Sequence, residues 1–185
     1  MRGFGRREFE LMLLRRMQDF HPDLVAAALD RLDAGRADLR AAHRRWQELM
    51  HSTRYPGDVR RFSLALGAPD SERTIAFGEV DLLASRWSLP VLWPDLAWEV
   101  VTDLDGTVLH EWLVRVRGAP SVPLADLAAI PPWSCVVGDL TAAHPAAGQV
   151  DLQLNSRWGV VVGDLLATFV WGLFQRADAV GGGGG

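Results

Sequence analysis

The chain has 185 residues, of which 49% are apolar and 23% charged, with a formal net charge of −4. Those values describe a folded globular chain long enough for one domain with an appendage and a substantial core. The acidic balance disfavours bulk attraction to nucleic acid or anionic lipid. The single cysteine, Cys135, excludes an internal disulfide or an intrachain thiolate metal cluster and suits a reducing compartment. All 19 basic residues are Arg, and eight Trp stand beside one Tyr.

Residues 6–20 place Phe9, Met12, Leu13, Met17 and Phe20 at steps of three and four, one apolar stripe of a helix. Arg6-Arg7-Glu8-Phe9 has the look of a twin-arginine signal, but the apolar stretch after it is cut short by Arg15-Arg16, so a cytoplasmic location is expected. His21-Pro22 ends this helix and opens a second. The second carries a seam of Val25, Leu29, Leu32, Arg36, Leu39, His43, Trp46 and Met50, with steps alternating four and three as in a coiled coil. Gly35 is a point where it can split. Residues 1–51 therefore read as a helical hairpin arm, packed either on its own domain or on a partner. They hold ten Arg against eight acids, and residues 52–185 hold nine against fifteen. Arg36, Arg40, Arg44 and Arg45 are interleaved with acids and read as a solvated ion-pair face.

Tyr55-Pro56-Gly57-Asp58 marks the boundary to a strand-rich domain spanning 52–180. Strands are expected over Val59–Leu66 and Thr74–Leu83, with irregular chain from Leu89 to Leu96. Trp98 to Arg117 alternates as a hairpin around Leu104-Asp105-Gly106. Its register sets Glu99 opposite Glu111, an unfavourable like-charge pair. Residues 119–132 read as a connector with a short helix near Leu124–Ala129. Strands follow near Trp133–Gly138, Gln149–Leu154 and Val160–Gly163. Asp164 is then placed to cap a buried C-terminal helix through Gln175, and 181–185 is a glycine tail.

The strand region repeats itself. Gly78-Glu79-Val80-Asp81-Leu82 through Ser85-Arg86-Trp87 is nearly restated by Gly148-Gln149-Val150-Asp151-Leu152 through Ser156-Arg157-Trp158. The expected fold is thus α+β: an N-terminal helical hairpin, a mostly antiparallel, internally pseudo-duplicated β-sheet domain, and a buried C-terminal helix. Each Asp of the repeat is expected to pair with an Arg. Alternatively, the Arg-Trp pairs form two equivalent platforms for a partner.

Asp103-Leu104-Asp105-Gly106-Thr107-Val108, with Val136-Val137-Gly138-Asp139, resembles the acidic motifs of the haloacid dehalogenase-like phosphatases. The resemblance implies Asp103 as nucleophile and Asp105 as general acid, with Mg²⁺. The chain departs from that family in having no Lys, only about thirty residues between the two pieces, and no evident crossover helix. An Asp-Gly hairpin turn accounts for the same letters. Cys135 reads as a buried structural thiol, and the five His show no metal-ligand spacing.

The function these features favour is a non-catalytic interaction or assembly protein. It would bind a protein partner, or itself, through Leu29, Arg36, Leu39, His43 and Trp46 of the arm and Arg86, Trp87, Arg157 and Trp158 of the sheet. No cofactor or metal is expected, nor nucleic acid as a partner, nor a membrane span. The alternative is a small metal-dependent hydrolase or phosphatase-like enzyme using Asp103 and Asp105.

Overall fold

The computed structural model describes residues 4–52, 58–154 and 156–180. The expected boundary turn, apart from Asp58, and the glycine tail lie outside them. The fold is α+β, with five α-helices and two four-stranded antiparallel sheets among the described residues. The chain divides into two compact units, 1–111 and 112–185.

In the first unit the expected hairpin is three helices: α1 (Arg6–Met17), α2 (Pro22–Arg31) and α3 (Arg36–Met50). Gly35 splits the long seam, and the Asp38 carboxylate accepts its N–H at 2.9 Å, satisfying one donor at the start of α3. Glu8 does the same for Gly5 at the start of α1. The segment expected as a strand at 59–66 is instead α4 (Arg60–Leu66). Phe62, Ala65 and Leu66 are buried at steps of three and one while Leu64 is exposed, so the helical period wins over the alternating one. Gly67, at φ +85°, ends the helix.

The first sheet is a meander of β1 (Ser71–Phe77), β2 (Val80–Leu89), β3 (Trp93–Thr102) and β4 (Val108–Arg115). The run expected as one strand at 74–83 is folded back at Gly78-Glu79. Gly78, at φ +62°, holds the first central position of that two-residue turn, which a type II′ turn reserves for glycine. The expected irregular stretch 89–96 contains the end of β2 and the start of β3. The Asp103–Thr107 hairpin forms as expected: Gly106 sits at φ +88°, and the Asp103 N–H donates to Thr107 O at 3.1 Å. The helices pack on this sheet through rings. Phe9 of α1 meets Trp46 of α3 at 5.4 Å and Trp98 of β3 at 5.2 Å, and Phe62 of α4 meets Trp87 of β2 at 6.0 Å. These side chains are almost wholly withdrawn from solvent, each offering large apolar area.

In the second unit Leu127–Ala129 forms one 3₁₀ turn, within the expected short helix. The strand expected at 133–138 is a single bridge, Val136 to Leu173, followed by α5 (Val137–Ala143). The second sheet is a meander of β5 (Gly148–Asp151), β6 (Arg157–Val162), β7 (Leu165–Val170) and β8 (Leu173–Ala179). The expected C-terminal helix is therefore absent: its residues are β7, a turn, and β8. Two tight turns do this, at Gly163-Asp164 and at Trp171-Gly172, where both central residues have positive φ (52° and 77°). The apolar run lacks alternation because Ala167, Phe169, Val170, Leu173 and Phe174 are all buried. The core of this unit joins Leu127, Ile130, Cys135, Val137 and Leu140 to that sheet.

Candidate interaction surface

The arm residues expected to meet a partner divide sharply. Leu29, Leu39 and Trp46 are 5%, 1% and 6% exposed, taken up by the core of their own unit. Trp46 lies against Phe4, Phe9 and Phe62. Arg36 is on the surface. His43 is half-buried, and its Nδ1 has no hydrogen-bond partner among the described residues. Burial, then the charges of Arg16 and Arg15, hold its ring below the usual histidine range. A cavity of about 290 Å³ opens against α1 and α3, lined in part by Arg7, Glu8, Asp38 and Arg45. Its charges are already engaged: Arg7 donates to Leu32 O and Asp33 O, and both carboxylates hold helix starts.

The two Arg-Trp pairs also differ. Trp87 is fully buried, its indole N–H donating to Gly67 O at 2.8 Å. Trp158 is half-buried and meets Trp112 edge-on at 5.8 Å. Arg86 does not pair with Asp81. Its Nε donates to Glu99 at 2.6 Å, and Arg73 approaches the same oxygen at 3.5 Å. Glu111 is met by Arg61 at 2.9 Å. Glu99 and Glu111, the two acids expected to face one another, are thus each met by an Arg of its own. Arg157 is half-buried at the start of β6, opposite Val170.

The acids of the phosphatase-like motif are spread over structural duties. Asp103 accepts the Thr107 N–H at 2.8 Å across the hairpin turn, and Asp105 is exposed at its tip. Asp139 is held by Arg115. Among the described residues, no three of His, Cys, Asp or Glu come together as metal ligands. Nor, among the described residues, is any helix long and apolar enough to cross a membrane.

The surface that pattern reading missed is the β1–β2 hairpin. The last pair joining β2 to β3 is Leu83 with Thr102, so Val80, Asp81 and Leu82 continue with β1 alone. The pairs Ile75–Leu82 and Phe77–Val80 put four apolar side chains on one face of this free ribbon. Phe77 is 77% exposed and Val80 56%. Leu109 of β4 is also exposed, at 55%. The available signal was the Gly-Glu turn flanked by Phe77 and Val80. The internal echo hid it by fusing two strands into one. Comparison with known protein families, with curated proteins and with solved structures finds no match to this chain.

Proposed function

We propose that the chain is a non-catalytic interaction or assembly module whose contact surface is the apolar face of the β1–β2 ribbon. The observation that carries this reading is the exposure of Phe77 and Val80, side by side on a two-stranded segment that extends past its sheet. An isolated ribbon is marginal in water, and an apolar face left open on it is a liability unless something covers it. Arg36 on α3 remains a second candidate contact of the first unit, and Arg157 at the start of β6 a candidate contact of the second. We read the two units as products of one duplication. In each, a short helix (α4 or α5) leads into a four-stranded meander, and Arg86-Trp87 and Arg157-Trp158 both occupy its second strand, facing the third. Against this, Asp81 shares β2 with Arg86 whereas Asp151 lies on β5, one strand before Arg157. A chain with its one thiol buried suits the cytoplasm.

The test is site-specific photo-crosslinking in the producing cell, with the reactive side chain at position 77 or, as a control, at exposed Leu24. A discrete adduct at 77 that Val80→Asp abolishes, and that position 24 does not give, is the expected result. Equal yields at both positions would overturn the assignment.

A further inference from the structure

Resting on that reading, we propose that the ribbon receives an extended peptide segment that alternates apolar and basic side chains and adds to the open edge of β1. Three observations converge on this occupant.

The first is the edge. β1 ends its sheet, so one side of the strand has no partner among the described residues. In a two-residue hairpin the flanking pair, here Phe77 and Val80, shares hydrogen bonds, and such pairs alternate along the ribbon. Phe77, Ile75 and Arg73 therefore turn their backbone groups toward β2. Glu72, Thr74 and Ala76 turn theirs outward. β1 contains no proline to blunt this edge.

The second is the face. A strand laid along β1 places every other side chain beside Ile75 and Phe77, which extends the apolar strip begun by Val80 and Leu82. Those positions of the partner must be apolar.

The third is charge. The pairing of Leu83 with Thr102 puts the β1–β2 and β3–β4 turns at the same end of the sheet. That end carries Glu79, Asp81, Asp103 and Asp105, none of which makes an ion pair among the described residues. The nearby Asp58 and Arg60 neutralise each other at 2.6 Å, and Arg73 is drawn to Glu99. Asp81 stands opposite Ala76, on the face away from Phe77. A basic side chain from an added strand can pass over that small alanine to reach Asp81. The same acids disfavour an anionic membrane or a nucleic acid as occupant.

The probe is a synthetic peptide alternating valine and arginine, titrated against the full chain by fluorescence anisotropy. The comparison peptides replace arginine by glutamate, or carry N-methyl groups on alternate residues. The valine–arginine peptide is expected to bind, and to weaken on the order of tenfold with Phe77→Ser. It should weaken severalfold with Asp81→Asn, and progressively as salt rises. The N-methylated peptide should not bind, since it cannot join the edge. Both substitutions fall on exposed positions, and matching melting curves confirm that each variant is folded. Equal binding of the glutamate peptide, or binding indifferent to Phe77→Ser, overturns the proposal. A crosslink at position 77 that persists while the peptide preferences fail leaves the interaction surface standing and removes only this partner.

Discussion

Arg115 donates from Nε and Nη2 to a single carboxylate oxygen of Asp139, at 2.8 and 2.7 Å. The same guanidinium reaches Pro120 O at 2.6 Å and Ser134 O at 2.9 Å, and the Asp139 oxygen also accepts the Val136 N–H. One arginine thus fastens β4, the 119–134 connector and the start of α5. Both side chains are largely buried, at 15% and 12% exposure. Arg115→Met leaves a buried carboxylate with one backbone donor. The expected cost is about 3 kcal/mol, read as a lower urea midpoint with an unchanged slope. Asp139→Asn keeps an acceptor for Val136 and should cost less. If Arg115→Met unfolds at the wild-type midpoint, the clamp is not holding the second unit together.

Cys135 lies beside that clamp, fully buried. Burial, then the Asp139 charge, pushes its thiol up to about 12. The thiolate is the reactive form, so the native thiol should be inert to disulfide reagents at pH 8. It should react quickly once the chain is unfolded in denaturant. Rapid reaction of the native protein would show that the second core opens far more readily than its packing implies.

Two of the groups in the first unit whose pKa values are moved by burial, His110 and Glu10, pull its pH response in opposite directions. Burial lowers His110 to about 4, against the opposing pull of Glu99. A base with a depressed folded pKa contributes stability above its unfolded value, near 6.5, that is lost as pH falls toward 4. The expected loss is on the order of 2–3 kcal/mol, and His110→Gln should remove that part of the acid limb. Glu10 is raised by burial, although it accepts the Leu92 N–H at 3.1 Å and feels Arg31 and Arg6. Its folded pKa lies above the unfolded one, so its contribution is full below about 4.5 and is lost as pH rises through the folded value. Glu10→Gln keeps an acceptor for Leu92 and should be more stable than wild type at pH 7, with the gap closing toward pH 4. Denaturant melts across pH 4–8 check both signs.

How far this fold can be read from its sequence depends on where each rule is strong. Gly35, Pro22 and the Asp103–Thr107 turn act within a few residues, and they locate real boundaries. The stripe of Phe9, Met12, Leu13 and Met17 does mark a buried helix face. What it cannot say is against what that face packs, so Leu39 and Trp46 look equally fit for a partner and for Phe62. The β7–β8 run fails for the opposite reason. With both faces buried it has no period to read, and only the Trp171-Gly172 turn separates two strands from one helix. The ribbon was legible in principle, since a glycine between Phe77 and Val80 is a hairpin signal. The apparent repeat drew those letters into a single strand.

That Trp171-Gly172 turn supports a last prediction. Gly172 sits at φ +77°, and a Cβ built on it would lie 2.9 Å from both Leu113 O and Trp112 Cβ. The backbone cannot relax away easily, because the Leu113 N–H donates to Trp171 O at 2.8 Å and the Val137 N–H donates to Gly172 O at 3.0 Å. Gly172→Ala therefore meets a left-handed backbone and a clash with main-chain atoms at once. The expected cost is roughly 2–4 kcal/mol, enough to lower the melting temperature by several degrees or more. Gly163→Ala is the control: its φ is +61°, but nothing lies within 4 Å of the added carbon. It should show the backbone penalty alone, on the order of 1 kcal/mol. If the two variants melt together, the close approach of β4 to this turn is not what makes glycine necessary at 172.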